Sequence, residues 1–116
     1  MAEPALTPER ALSQLGELSA EIRASILLDS SGAVAACSDD SLGARLRKPV
    51  LELLERADEA AEEPPSQVEV SMAGGAVFAA REEGWTLAVV ASRRTLSSLM
   101  FYDMRSVLRG LEGSAA

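Results

Sequence analysis

Residues 67–91 have the sequence QVEVSMAGGAVFAAREEGWTLAVVA, which predicts three consecutive antiparallel strands. In the first strand, Val68, Val70 and Met72 alternate with polar residues, the period-2 pattern of a strand with one apolar face. The last run, residues 85–91, is apolar at every position except Thr86, as expected of a central strand covered on both faces. A sheet covered on both faces needs helices on both sides.

Two glycine-containing turns separate these strands. We expect Gly74-Gly75 to supply the positive φ angles of the first reversal, and Glu83-Gly84 to form the second turn.

The remaining elements are predicted on both sides of this stretch. In chain order they are a helix that begins at Thr7, strands at residues 25–29 and 33–37, a long helix at residues 41–63, and a last helix capped by Ser92 or Thr95. The apolar face of the first helix comprises Leu12, Leu15, Leu18 and Ile22; that of the last comprises Leu96, Leu99, Met100, Met104, Val107, Leu108 and Leu111. Pro49 predicts a kink or a two-piece structure in the long helix.

Length and composition indicate one domain, residues 1–116, ordered from about 7 to 112. The net charge of −7 argues against a nucleic-acid partner, because such binding depends on Lys and Arg neutralising phosphates. No apolar run is long enough to span a bilayer, so we expect no membrane insertion. The N-terminus lacks the pattern of a secretory signal, and a single cysteine, Cys37, agrees with a reducing compartment. We therefore expect a cytoplasmic protein.

The sequence contains few residues suited to catalysis. There is no histidine, which excludes histidine bases and histidine metal ligands. There is no phosphate-binding GxxxxGK[ST] motif, and Asp29, Asp39 and Asp40 lack the spacing of a calcium loop. We assign no catalytic, cofactor-binding or metal-binding residue and expect a protein that is not an enzyme.

The long helix carries a segregated charge pattern. Its first half contains Arg45, Arg47 and Lys48, and its second half contains Glu52, Glu55, Asp58, Glu59, Glu62 and Glu63. Both ends oppose the helix macrodipole, so something outside the helix should offset the charges. Two such helices running antiparallel about a two-fold axis would place basic halves against acidic halves. A solvated charged face is the alternative.

Two local patterns and the order of elements resemble the Roadblock and dynein-light-chain family. The patterns are ILLDSSGAVAACS, residues 26–38, and GWTLAVVAS, residues 84–92, and the resemblance extends over residues 11–111. It implies an α/β/α sandwich: a five-stranded antiparallel sheet with the long helix on one face and the two terminal helices on the other. It also implies that the strand at residues 68–72 is a sheet edge that pairs with its copy in a second subunit.

The resemblance further implies a non-enzymatic homodimeric scaffold or regulator that binds a small Ras-like GTPase. As a regulator, the protein would modulate the nucleotide cycle of that GTPase. The expected homodimer interface comprises Val68, Glu69, Val70, Ser71, Met72, Arg47, Val50, Leu51, Leu54, Glu55 and Asp58. Replacing Val70 with proline should then weaken the dimer by removing a ladder donor.

The candidate partner surface comprises Arg93, Arg94 and Tyr102. The alternative is that these three side chains are exposed to water and contact no partner. The alternative function is a sensor domain of PAS or profilin-like shape that holds a small molecule, although few aromatic residues are available to line a pocket.

Overall fold

Three helices and five strands occupy residues 6–111, the part of the chain that the computed structural model describes; for residues 40–44 it describes the backbone alone. Their bounds, in chain order, are α1 Pro8–Leu18, β1 Ile22–Leu28, β2 Val34–Cys37, α2 Asp40–Ala60, β3 Gln67–Met72, β4 Gly75–Glu82, β5 Trp85–Ala91 and α3 Ser97–Arg109. The predicted order of elements is confirmed. The predicted ordered range ends at residue 112, which lies outside the described residues, and the single domain over residues 1–116 stays a prediction.

The five strands form one antiparallel sheet in the order β2-β1-β5-β4-β3. The apolar strand β5 lies at its centre and β3 at one edge, as predicted. Alternate residues of β5 face opposite sides: Leu87 and Val89 belong to one apolar cluster, whereas Ala88 belongs to the other.

Each face of the sheet is covered by helices. The α1 and α3 helices cover one face, where Leu15, Phe78 and Met104 are buried. The α2 helix covers the other face, where Val50 and Leu54 pack near strand residues such as Ile26. The α/β/α sandwich is therefore confirmed. Among the described residues, none of the helices combines the length and apolarity needed to cross a bilayer.

The turns differ in part from the prediction. Glu83 and Gly84 have φ angles of 53° and 88°, which confirms the second turn of the 67–91 stretch. Gly74 and Gly75 do not have positive φ angles, so the prediction for that reversal was wrong. Gly75 is needed for a different reason: a Cβ atom there would lie 2.3 Å from the carbonyl oxygen of Ala91 on the adjacent strand.

Two helix boundaries also differ. The α1 helix ends at Leu18 because Ser19 is extended, so Leu18 is exposed and Ile22 opens β1 rather than continuing the helical face. At α3, the N-cap is Leu96, with no side-chain capping hydrogen bond, instead of Ser92 or Thr95. Leu96, which lies before the helix, and Leu99, in its first turn, are exposed and do not belong to the buried face of α3.

The long helix is a single element with Pro49 inside it, so the two-piece alternative was wrong. It ends at Ala60, three residues earlier than predicted. Glu62 and Glu63 consequently lie in a bend after the helix and not on its charged face.

Candidate functional site: an open sheet edge beside a charged helix

The outer edge of β3 has no strand beside it among the described residues. In an antiparallel sheet, each residue directs its amide and its carbonyl to the same side of the strand, and the next residue directs both to the opposite side. The amide of Arg81 donates to the carbonyl of Ser66, so Ser66 and Arg81 form a hydrogen-bonded pair, and every second pair along β3 and β4 is hydrogen-bonded in the same way. The amides of Val68, Val70 and Met72 therefore face β4, and those of Gln67, Glu69 and Ser71 face the open edge.

The direction of the β3 amides corrects the proline prediction for Val70. A proline at Val70 would remove a donor from the hairpin with β4, whereas the outward donors belong to the alternate residues. The site for testing the edge is Glu69, which is exposed and lies between two other outward-facing positions.

The apolar face of β3 is only partly covered. Val68 packs with the apolar cluster beneath α2, but Val70 is 36% exposed and Met72 is 53% exposed. The reason is the position of α2, which packs mainly on β1 and β2 at the far side of the sheet. An apolar strip thus continues from the core to the open edge.

Two of the predicted interface residues on α2 are buried within the single chain. Val50 and Leu54 are only 3% and 5% exposed, because both are packed against the chain's own sheet. Leu51 is half-buried, and its side chain lies near Gly32 in the β1–β2 turn. The helical period identified a shared apolar face but could not distinguish a core face from an interface face.

The basic residues Arg45, Arg47 and Lys48 are exposed near the start of α2. Arg47 is not free, because its Nε donates to the carbonyl of Gly32 at 2.6 Å. That bond ties the helix to the β1–β2 turn, where the Asp29 carboxylate accepts from Ser31 and from the amide of Ala33. Those hydrogen bonds, above all the one from the Ser31 hydroxyl, lower the pKa of Asp29.

At the other end of α2, Asp58 forms a bidentate ion pair with Arg81 of β4, at 2.6 and 3.1 Å. The guanidinium also donates to the carbonyl of Pro65, after the end of the helix. An external group that offsets the acidic end was predicted, and Arg81 of the same chain supplies one. Sequence reasoning missed Arg81; its signal was a lone arginine that breaks the apolar run of β4.

The Arg81 pair makes a pH-dependent contribution to stability. Hydrogen bonding to Arg81 lowers the pKa of Asp58 below its ordinary value of 3.8. A lowered carboxyl pKa in the folded state stabilises above the unfolded pKa, and the contribution is lost as the pH falls through the folded pKa. We expect Asp58→Asn to lower the melting temperature modestly at neutral pH, since the pair is partly solvated, and this difference from wild type should shrink below about pH 4.

The measurement is differential scanning calorimetry of both proteins across this pH range. Glu59→Gln is the matched control, because Glu59 is an exposed neighbour on the same helix with no ion pair among the described residues. A pH-independent difference for Asp58→Asn would contradict the role given to the ion pair.

Two other acidic residues of α2 line an open groove of about 640 Å³. Glu55 and Glu59 line it opposite the β1–β2 turn, together with Leu51 and Arg81. Within residues 6–111, apart from the undescribed side chains at 40–44, no group of three or more His, Cys, Asp or Glu is arranged to hold a metal ion.

The three residues predicted as a partner surface are all exposed, Tyr102 at 69%. They do not form one site. Tyr102 lines a groove of about 360 Å³ with Arg105 and Arg109 of α3, where Arg109 donates to Glu82 at 2.8 Å. That bond to Glu82 raises the pKa of the Arg109 guanidinium. Arg94 lines a separate notch near the start of α3.

Several solved structures share the fold of this chain at low sequence identity. A Roadblock/LC7 domain from Streptomyces avermitilis has a TM-score of 0.76 at 19% identity, over 87% of this chain and 91% of that domain. The gliding protein MglB from Thermus thermophilus has a TM-score of 0.62 at 18% identity, over 93% of this chain and 96% of that protein. An MglB with a tetrameric arrangement gives the same four values.

These similarities confirm the Roadblock fold that the sequence resemblance implied. The sequence matches no protein-family model, and no curated protein is significantly similar to it.

Proposed function

We propose that the chain is a Roadblock-family protein that forms homodimers and binds a small Ras-like GTPase in the cytoplasm, as a non-enzymatic scaffold or regulator of its nucleotide cycle. The observation that carries this proposal is the open β3 edge on a Roadblock fold. The fold is shared with MglB over nearly the whole chain.

The homodimer rests on the edge and on the strip beside it. Outward amides at Glu69 and its neighbours lie next to the exposed side chains of Val70 and Met72. The six residues of β3 carry one charge, at Glu69, so the edge has little protection against pairing with another strand. A second copy placed about a two-fold axis satisfies the donors of both chains at once. The MglB with a tetrameric arrangement is a protein of this fold that self-associates.

The packing of both helical layers favours a binding module over the sensor alternative. The interfaces between sheet and helices are filled by apolar side chains such as Phe78, Leu87 and Val50. A small-molecule sensor of this shape needs an enclosed, mostly apolar space between sheet and helix, whereas the space beside α2 is an open groove lined by charged residues such as Glu55, Glu59 and Arg81.

The GTPase proposal predicts binding that depends on the nucleotide state. The chain should bind at least one Ras-like GTPase encoded in its own genome, with affinities for the GDP form and the GTP-analogue form that differ about tenfold or more, because a regulator of the cycle must distinguish the two states. Biolayer interferometry of each purified GTPase against the immobilised chain measures this difference.

The control is each GTPase stripped of nucleotide and magnesium. Failure to bind any of these GTPases in either nucleotide state would refute the partner, and equal affinity for both states would reduce the role to a scaffold.

A further inference from the structure

A small notch lies between the end of α1 and the start of α3, on the sheet face opposite α2. Its volume is about 160 Å³. The apolar part of its lining is Leu18, Leu96, Leu99 and Met100, and the polar part is Ser19, Glu21, Arg94, Thr95 and Asp103. Leu18, Leu96 and Leu99 are exposed, so the notch has an apolar rim in contact with water.

Asp103 is the unusual residue of this notch. It lies on the buried stripe of α3, three residues after Met100 and four before Val107, at a position where the helical period places an apolar side chain. It is only 9% exposed, yet within the described part of the chain no hydrogen bond or ion pair reaches its carboxylate. The carboxylate oxygens are not fully buried and keep some contact with water, but without a protein partner their reduced hydration costs stability.

A second acceptor in the notch also lacks a partner. The Thr95 Oγ1 atom is buried and makes no hydrogen bond among the described residues. Glu21, from the other side of the notch, accepts a hydrogen bond from the Ser92 hydroxyl. Arg94 is exposed and makes no ion pair with Asp103. The charged groups that line the notch are thus two carboxylates and one exposed guanidinium.

We propose that this notch binds an arginine side chain presented by a partner protein. The guanidinium donates to the Asp103 carboxylate and to Thr95 Oγ1, and the aliphatic stem packs against Leu96 and Leu99. An arginine fits better than a lysine because its fork of donors can reach two acceptors at once. Once an arginine is bound, the exposed leucines around Asp103 would exclude water from the ion pair, as the contacts around a hot-spot residue do in protein interfaces.

This inference goes beyond the proposed function and does not depend on it. The notch lies on the α1 and α3 side of the sheet, whereas the proposed dimer uses the β3 edge and the α2 side. A chain that fails to bind any GTPase could still bind arginine here, and the reverse also holds.

Solution NMR tests the notch with butylguanidinium as the probe and butylurea as its neutral isostere. We expect butylguanidinium to shift the amide signals of residues 95–103 saturably, and butylurea to leave them unchanged. Asp103→Asn should weaken the apparent affinity about tenfold or more. Glu17→Gln, which removes an exposed carboxylate of α1, should retain it. Absence of saturable shifts, equal shifts with butylurea, or unchanged affinity in Asp103→Asn would each overturn the proposal.

Thermal unfolding supplies a readout that does not depend on the probe. If Asp103 serves a partner, the free protein carries it at a cost in stability, so Asp103→Leu should raise the melting temperature. A lower melting temperature for Asp103→Leu would show that the carboxylate serves the fold, and would overturn the assignment.

Discussion

Glu69→Pro is expected to abolish self-association while leaving the chain folded. The amide of Glu69 faces the open edge of β3, so a proline there removes an outward donor without removing a hydrogen bond to β4. Its ring also places a bulky, rigid group where a neighbouring strand would pair. We expect the apparent dimer dissociation constant to rise about a hundredfold or more, since loss of a central donor also disturbs the pairs on either side.

Analytical ultracentrifugation over a range of concentrations measures this constant. Glu69→Thr is the matched variant, because it removes the carboxylate but keeps the donor and a residue that favours strands. It should dimerise as wild type does. A Glu69→Pro protein that remained dimeric, with an unchanged circular dichroism spectrum, would show that β3 is not the dimer edge.

The fold was largely predictable because it depends on patterns that are local. The alternation of Val68, Val70 and Met72 identified β3, and the unbroken apolar run of β5 identified the central strand. Such patterns arise directly from which side chains share a face of a strand or helix. They placed each element correctly to within a few residues.

What the sequence could not predict depends on which element covers a given face. Val50 and Leu54 lie on an apolar helical stripe whether that stripe contacts the chain's own sheet or a second chain, and only the packing of α2 distinguishes the two. The pair between Asp58 and Arg81 joins residues 23 positions apart, and no local spacing indicates it. Boundary errors at Leu18 and Leu96 have the same origin, because apolar spacing continues past the point where neighbouring elements end.

The candidate site was predicted in its location and missed in its details. The β3 edge followed from the resemblance, but the direction of the amides required the register with β4. Asp103 could have been found from sequence, since an acid within the apolar stripe of the last helix is a departure from the period. Its lack of a partner, which makes it informative, appears only in three dimensions.

Gly75→Ala is expected to have the largest effect on stability of the substitutions considered. The added Cβ would lie 2.3 Å from the carbonyl oxygen of Ala91 and 3.3 Å from its carbonyl carbon. Both are backbone atoms of the central strand, so no side chain can rotate away to relieve the clash. Forcing the two strands apart should cost about 3 kcal/mol, which corresponds to a fall in melting temperature of about 15 °C.

Gly16→Ala is the matched comparison for this prediction. Gly16 lies within α1, and a Cβ there would meet nothing within 4 Å. Alanine favours the helix over glycine, so this variant should gain about 0.5 to 1 kcal/mol. Thermal unfolding of both variants at one protein concentration separates the effects from any change in self-association. If Gly75→Ala unfolded at the wild-type temperature, β4 would not approach β5 as closely as the structure shows, and the position of the β3 edge beyond β4 would have to be revised with it.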